Sequence, residues 1–454
     1  MSKLSQVPFL CSAFQPNDNP QTHQTHQTHQ TTSMLNRTIM PEIKEVENLT
    51  VPPPVLWHLS NGVPVYETNL GTQDVIKLDL VFFAGRPFER KKLASRSTAA
   101  MLREGTTHYS SADIAEIVDY YGGTLSLPIS LDTSNVLLYS LRKHFGQLLP
   151  IVSSLLSEPT FPQEELEAFI KRNQQRLQVE LTKNDVVAYR KFTELLYGTK
   201  HPYGYNSYPE TYAELTQEDL MTHFQENYTT GNCLIFLSGK IDKEARLLLE
   251  EHLGKTILTG ERRHVELPNP DSPPKKVKVP HPDSVQTAIR IGSRLFNRLH
   301  EDYNGMYVLN TVLGGYFGSR LMTNIREEKG YTYNIYSSHD AMFYGGYFYV
   351  GTEVGNEFVE PTLREIYREM ERLQEELIDE EEMKMVKNYL LGNLLTNLDG
   401  PFNIAEVVKT FVTEGLPVNT FEDLAKYISS VQATELRELA RKYFRKEDMW
   451  EVVV

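Results

Sequence analysis

A repeat within the chain constrains its fold more than any other feature of the sequence. The segment 157–166 leads into a helical pattern, and 377–383 repeats it before a second helical pattern. In the same way, 215–220 is repeated by 431–436. Both repeats have nearly the same offset, about 216 residues, which predicts two halves of one architecture instead of two unrelated domains.

Each half shows the same order of predicted elements: apolar strands, a short helix, a glycine-containing turn, two more strands, long helices and a final strand. The predicted strands lie near 78–85, 124–129, 135–141, 234–239, 285–292, 331–338, 346–352 and 449–454. Long amphipathic helices are predicted over 163–182 and 380–397, with acidic first turns that suit the helix dipole. This order predicts an α+β fold of two homologous domains, each a mixed β-sheet covered by helices.

Composition divides the chain into four parts. Residues 1–45 are dominated by Gln, Thr, His, Asn and Pro, which predicts a disordered low-complexity tail. The first domain is predicted over 46–258 and the second over 285–454. Between them, 259–284 is rich in proline and lacks apolar periodicity, so we predict an interdomain linker.

Charge and cysteine content exclude several classes of function. With 60 acidic and 46 basic residues, the net charge of −14 argues against nucleic acid as a partner. No apolar run approaches the roughly 18 residues that span a bilayer, so no membrane span is expected. Cys11 and Cys233 are the only cysteines, which excludes a disulfide framework and a thiolate zinc site. The amino terminus lacks a convincing export signal, so we expect a cytoplasmic protein, with the periplasm as the alternative.

Three motifs carry a resemblance to a known family. They are Met-Leu-x-x-Gly-Thr at 101–106, Leu-Leu-Tyr-Gly-x-x-His-Pro-Tyr-Gly at 195–204 and Leu-Gly-Gly-x-x-x-Ser-Arg-Leu at 313–321. Together with the two similar halves, they resemble the insulinase and mitochondrial-processing-peptidase family over about residues 55–454. The resemblance implies one half of a clamshell-like peptidase that encloses an unfolded peptide, with zinc in the first half of the catalytic chain.

The zinc motif of that family is absent from this chain. In H-x-x-E-H, two histidines on one helix face bind zinc while the glutamate activates water. Aligning Met101-Leu102 and Gly105-Thr106 with the family places Arg96 and Ala100 at the histidine positions and Ala99 at the glutamate position. No histidine lies between 58 and 108, so no local shift restores the pair. Glu180 falls near the expected third ligand, although a solvated helix glutamate is the competing interpretation.

The second half keeps more of the family pattern. The run Arg-Glu-Glu-Lys-Gly-Tyr-Thr-Tyr from Arg326 to Tyr333 resembles an arginine-tyrosine pair that meets the peptide opposite the zinc. A phenol can donate to the oxyanion of a tetrahedral intermediate, and a guanidinium can fix a peptide carbonyl. From residue types alone, Arg326 would instead be the ion-pair partner of a nearby glutamate and Tyr333 a half-buried strand residue.

These observations predict a metal-free, substrate-binding subunit of a two-chain zinc endopeptidase, inactive alone. The resemblance implies that zinc is bound by a homologous partner with H-x-x-E-H, and that Arg326 and Tyr333 complete the substrate site. The partner is expected in a heterodimer, with a homodimer as the alternative, and the substrate is an unfolded peptide. Two other functions stay open: a catalytically inactive peptide-binding or assembly protein, like core subunits of respiratory complexes, and a self-sufficient peptidase with an unrecognised metal site.

Overall fold

The structure, a computed structural model, describes residues 49–270, 272–281 and 284–454. The tail predicted over residues 1–45 lies outside the described residues. Within the described ranges, none of the helices combines the length and the hydrophobicity needed to cross a lipid bilayer.

Thirteen strands occur among the described residues. They are β1 (Val55–His58), β2 (Pro64–Thr68), β3 (Val75–Phe82), β4 (Thr124–Ser126), β5 (Ser134–Leu141), β6 (Thr229–Gly231), β7 (Cys233–Gly239), β8 (Leu258–Glu261), β9 (Lys276–Lys278), β10 (Gln286–Leu295), β11 (Ile335–Met342), β12 (Gly345–Gly355) and β13 (Trp450–Val453). The eight strands expected from the sequence are confirmed with shifted ends, whereas β1, β2, β6, β8 and β9 were not predicted.

Fourteen α-helices occur in the same part of the chain. They are α1 (Ala94–Met101), α2 (Ser111–Tyr120), α3 (Phe145–Ser157), α4 (Gln163–Glu180), α5 (Asn184–Tyr197), α6 (Pro209–Ala213), α7 (Gln217–Asn227), α8 (Lys243–Leu253), α9 (Tyr303–Asn310), α10 (Val359–Glu375), α11 (Glu380–Thr396), α12 (Gly400–Glu414), α13 (Thr420–Ser430) and α14 (Ala433–Tyr443). The two long predicted helices are confirmed as α4 and α11. Two π-helical turns, Thr311–Gly315 and Met322–Glu328, follow α9.

The first half is built on a six-stranded mixed sheet with the order β1-β2-β7-β3-β5-β4. Only the β2–β7 pair is parallel. The central strand β3 is buried almost throughout because both faces of the sheet are covered. Ile76, Leu78 and Leu80 belong to the core of the first half, and the alternate residues Lys77 and Asp79 point to the opposite face.

The second half repeats this topology in a five-stranded mixed sheet, ordered β11-β12-β10-β13-β9. Its last strand, β13, is antiparallel to β10 and parallel to β9, as β7 is to β3 and β2. The helices repeat as well. Helices α11, α12 and α14 of the second half correspond to α4, α5 and α7 of the first, about 216 residues later in the chain. The predicted α+β fold with two similar halves is therefore confirmed.

The predicted linker contains secondary structure. Strand β9 lies inside 259–284, and it occupies the position in the second sheet that β2 occupies in the first. Strand β8 overlaps the start of the same segment and pairs with β6. We infer that the second domain begins before Lys276, so that the linker is limited to the residues between β8 and β9.

Each half contributes a helix that packs on the sheet of the other half. From the first half, α5 packs on β10 and β13 of the second sheet, where Phe192 and Leu196 are fully buried. The approach is close because residue 292 is glycine: a Cβ there would lie 2.9 Å from the Phe192 ring. From the second half, α12 packs on β7 and β2 of the first sheet through Ile404 and Val408. The described residues therefore form one compact unit.

Candidate functional site: an arginine-tyrosine cavity and a ligand-free helix

Helix α1 carries the three residues that replace the zinc motif. It begins after Leu93, which has a left-handed φ of 71°, and it ends at Met101, where a 3-10 turn continues to Glu104. The helical segment therefore ends before the Gly105-Thr106 pair of the family motif. Arg96 is exposed, without an ion pair to another described residue, whereas Ala99 is buried and Ala100 packs against the first core.

This arrangement does not fit zinc. Neither alanine has a donor atom, and a guanidinium carries N–H groups in place of a free lone pair. Glu180 lies in an exposed ion pair with Arg176, one helical turn earlier, at 3.0 Å. Among the described residues, no group of three or more His, Cys, Asp or Glu side chains could hold a metal ion. These side chains therefore do not provide a site for a catalytic metal.

A partly buried glutamate that the sequence did not reveal fixes the start of α1. The carboxylate of Glu89 accepts hydrogen bonds from the Ser95 amide at 3.0 Å and from the Tyr205 hydroxyl at 2.7 Å. Burial raises the pKa of this carboxyl, although the Tyr205 hydrogen bond and the Arg86 charge act in the opposite direction. Glu89 thus caps a helix whose first turn has no side-chain cap of its own.

In the second half, Arg326 and Tyr333 are in direct contact. Arg326 lies in the π-helical turn Met322–Glu328, and Gly330, with φ of +67°, reverses the chain after it. The Arg326 Nε donates a hydrogen bond to the backbone carbonyl of Tyr333 at 3.0 Å. The guanidinium carbon also lies 4.8 Å from the centre of the Phe317 ring. Two contacts therefore fix the arginine next to the tyrosine.

The phenol of Tyr333 points into solvent, with 91% of the residue exposed. Tyr333 was predicted on a strand, but β11 begins two residues later, at Ile335. The strand is delayed because the Thr332 hydroxyl donates to the Glu353 carbonyl at 2.7 Å, and Tyr331 stacks on Phe358 at 4.9 Å. The competing interpretation of a half-buried strand tyrosine is therefore wrong.

The Arg326 side chain and the Tyr333 ring lie at a cavity of about 490 Å³. It is lined by Gln286, Arg326, Glu327, Gly330, Tyr331, Thr332, Tyr333, Glu353, Gly355 and Phe358. The pairing of β10 with β12 places Gln286 opposite Gly355, so that residues distant in the sequence line the same cavity. The interpretation of Arg326 as an ion-pair partner of a nearby glutamate is also wrong, since it forms none with the described acidic residues.

Comparison with known proteins shows which family the second half of the chain is similar to. Residues 214–390 match the family model described as "Peptidase M16 inactive domain", a range that contains Arg326 and Tyr333. This part of the chain matches the M16 peptidase family. As expected from the sequence, the match is to the inactive type, and the M16 zinc motif is missing from α1.

Individual M16 relatives are distant but similar over most of their length. The "Non-peptidase homolog YmxG" of Helicobacter pylori is 24% identical over 367 residues, 78% of this chain and 83% of that protein. The beta subunit of the mitochondrial-processing peptidase of Caenorhabditis elegans is 22% identical over 452 residues, 93% and 94% of the two chains. A peptidase M16 inactive domain from Pseudomonas fluorescens has the same fold, with a TM-score of 0.80 and 22% identity, covering 88% of this chain and 97% of that one.

Several residues that line the cavity beside Arg326 were not predicted. Glu353 and Gln286 lie far from the motif in sequence, and the strand pairing brings them to it. The only available signal was the alternation of side chains along β12, which places Glu353 on the same strand face as Gly351 and Gly355. Phe317, beneath Arg326, lies within the glycine-containing motif 313–321 but was not assigned a role.

Proposed function

We propose that the chain is the metal-free, substrate-binding subunit of a two-chain zinc endopeptidase. The asymmetry between its halves carries the proposal: α1 offers no zinc ligand, whereas Arg326 and Tyr333 are assembled at an open cavity. Because the Tyr333 phenol is exposed, it contributes nothing to the hydrophobic core, and packing does not explain the tyrosine at this position. The names of two relatives also support this division, since one is a non-peptidase homolog and another is a subunit of a processing peptidase.

The proposed chemistry divides between the two side chains. The Tyr333 hydroxyl donates a hydrogen bond to the oxyanion that forms when water attacks the peptide carbonyl. Arg326 uses its Nε for the Tyr333 carbonyl, which leaves the terminal N–H groups of the guanidinium for a carbonyl of the bound peptide. The chain itself supplies neither the metal nor the base that activates water, so it has no peptidase activity alone.

A heterodimer is favoured over a homodimer by the same argument. Two copies of this chain would bring together two helices with Arg96, Ala99 and Ala100, and neither would bind zinc. A homologous partner that carries H-x-x-E-H would supply the missing half. Zinc is then bound by the partner, and an extended peptide lies between the two chains.

The test is a Tyr333→Phe substitution in the pair reconstituted from this chain and an H-x-x-E-H homologue of the same genome. Loss of one oxyanion donor should lower kcat on a quenched fluorescent peptide by about 100-fold. KM and the zinc content of the pair should stay unchanged. Tyr120→Phe is the matched control, because Tyr120 is 80% exposed and lies on α2, away from the cavity.

Unchanged kcat in the Tyr333→Phe pair would contradict the proposed role. If the pair also bound peptide without cleaving it, the chain would be a peptide-holding or assembly protein.

A further inference from the structure

The two sheets differ at one edge. In the first sheet β1 pairs with the outer side of β2, whereas in the second sheet β9 occupies the position of β2 and is itself the edge strand. Within the ranges that the structure describes, no strand pairs with the outer side of β9. The described residues just before β9 form no strand, because this stretch contains prolines, which lack the backbone N–H that a strand uses: Pro268, Pro270, Pro273 and Pro274.

The backbone groups on the outer side of β9 belong to Lys276 and Lys278. On the inner side, the Lys275 carbonyl accepts a hydrogen bond from β13 at 3.0 Å, and the Val279 amide donates one to β13 at 2.8 Å. Successive residues of a strand direct their N–H and C=O groups to alternate sides, so the residues between these two bonds follow the same alternation. The N–H and C=O groups of Lys276 and Lys278 therefore point away from the sheet and are open to another strand.

The same edge carries unbalanced positive charge. Three of its lysines are exposed to solvent: Lys275, Lys276 and Lys278. A fourth, Lys446, lies close by, since its Nζ and that of Lys276 are 4.9 and 5.1 Å from the centre of the Tyr367 ring. Glu451 pairs with Lys276 at 3.0 Å, but none of the other three lysines forms an ion pair with a described residue. The edge is therefore positive on a chain whose net charge is −14.

Lysines on an edge strand determine which strands can pair with it. A second copy of β9 would place lysine opposite lysine, and like charges directly opposite each other destabilise a strand pair. An acidic strand would instead place carboxylates opposite or diagonal to the lysines, where opposite charges stabilise the pairing. The edge therefore fits a strand that contains several Asp or Glu residues, and it disfavours another copy of itself.

We propose that the outer edge of β9 binds an extended acidic segment of a partner protein by strand addition. The main chain of that segment pairs with the backbone groups of Lys276 and Lys278, and its carboxylates lie beside Lys275 and Lys278. None of the four lysines lines the arginine-tyrosine cavity, and β9 and β11 are opposite edges of the second sheet. The proposed surface is therefore separate from that cavity and does not depend on the proposed peptidase role.

The test measures binding of three labelled twelve-residue peptides to the purified full-length chain by fluorescence anisotropy. At a salt concentration of about 150 mM the Debye length is about 8 Å, so charges near the edge dominate over the net charge of the chain. The peptides alternate threonine with glutamate, glutamine or lysine. The glutamate peptide should bind about tenfold more tightly than the glutamine peptide, as expected for two exposed charge pairs, and the lysine peptide should bind most weakly.

Two substitutions of Lys278 separate the main chain from the charge. Lys278→Pro removes the outward N–H, whereas the bonds to β13 belong to the alternate residues and remain. Lys278→Ala removes the same charge but keeps the N–H, so it is the matched control. The glutamate peptide should bind Lys278→Pro about fivefold more weakly than Lys278→Ala, because one main-chain hydrogen bond is lost. Equal Tm values would show that both variants fold.

A charge reversal tests the side chains without changing the backbone. Lys275→Glu combined with Lys278→Glu should reverse the preference, so that the lysine peptide binds more tightly than the glutamate peptide. This variant also decides the proposal if Lys278→Pro fails to fold. Lys426→Glu is the control, because Lys426 is an exposed lysine of α13, and it should keep the preference of the wild type.

Four results would overturn the proposal: no binding of the glutamate peptide at millimolar concentration, equal affinity for the glutamate and glutamine peptides, equal affinity of Lys278→Pro and Lys278→Ala, or no reversal in the double variant. A dimer of the wild-type chain that Lys278→Pro abolishes would make a second copy the occupant of this edge, and it would also overturn the acidic partner. None of these outcomes affects the rate test of Tyr333→Phe.

Discussion

At the residue scale, Arg326 and Tyr333 are held in unequal ways. The arginine is fixed by a backbone carbonyl and an aromatic ring, so its position does not depend on an acidic partner. Among the described residues none holds the phenol of Tyr333, and only its backbone is fixed, through Thr332 and the Arg326 hydrogen bond. The arrangement leaves the tyrosine hydroxyl free to follow a ligand while the arginine stays in place.

Glu89 gives a prediction about pH. Its pKa is raised in the folded chain, above the ordinary value of 4.5, chiefly by burial. Between these two values the folded state binds more protons than the unfolded state, so the free energy of unfolding falls as pH rises through this range. Glu89→Gln cannot titrate. Wild type should therefore lose stability relative to the variant as pH rises from below 4.5 towards neutrality, measured by urea unfolding at a series of pH values.

A difference between wild type and Glu89→Gln that stays constant with pH, or that changes in the opposite direction, would show that burial does not control this carboxyl.

Individual residues could be predicted where the sequence carries the information locally. The absent ligands at Arg96, Ala99 and Ala100 can be read directly, because alanine has no donor atom in any fold. Glu89 could not be recognised, since its partner Tyr205 is 116 residues away and only the folded chain brings them together. Long-range partners of this kind decide burial and charge, and periodicity does not report them.

At the scale of elements, the contact between α12 and the first sheet contains a buried charge network. Asp79 on β3 is only 1% exposed, and its carboxylate accepts hydrogen bonds from Asn135 and Lys409, both at 2.8 Å. Lys409 also pairs with Glu406 on the same helix. This network ties a strand of the first half to a helix of the second.

Lys409→Ala should lower the free energy of unfolding by about 3 kcal/mol, because it leaves Asp79 buried without its cation. Asp79→Asn combined with Lys409→Met should recover at least half of the loss, since no uncompensated charge remains. Lys426→Ala, which removes an exposed lysine, should change stability by less than about 0.5 kcal/mol. Denaturant unfolding measures all three, and equal losses for the two lysine variants would contradict the role of the buried pair.

The elements also show what the sequence could predict. The alternation of apolar and polar residues predicted the eight main strands, and the helical periodicity of two long segments predicted α4 and α11. Strand β9 was hidden because Lys-Val-Lys has little apolar content and follows a proline-rich stretch, so only its pairing with β13 makes it a strand. The start of β11 was displaced by side-chain hydrogen bonds of Thr332, which outweigh the apolar character of the preceding residues.

At the scale of the whole molecule, the exchanged helices make each half depend on the other. Without the second sheet, the buried face of α5 would be exposed, and without α12 so would Val81 and Phe236. The repeat in the sequence predicted two similar halves, but it could not show this exchange. Repeats report which elements are equivalent, whereas the partner of each helix face depends on how the halves pack.

Calorimetry of the full chain should show one cooperative unfolding transition for the two halves, because their interface is continuous with both cores. Phe192→Ala should lower the free energy of unfolding of the whole chain by about 3 kcal/mol, and the transition should stay single. Two separable transitions, or a loss confined to one of them, would show that the halves are independent domains.

The division of labour between two chains is tested most directly by measuring metal content and turnover of each chain and of their mixture. This chain alone should contain no stoichiometric zinc and cleave no quenched peptide. The H-x-x-E-H homologue should contain one zinc ion per chain, and the mixture should cleave the peptide at a rate that saturates at equimolar composition. Stoichiometric zinc in this chain, or full activity of the homologue without it, would contradict the account.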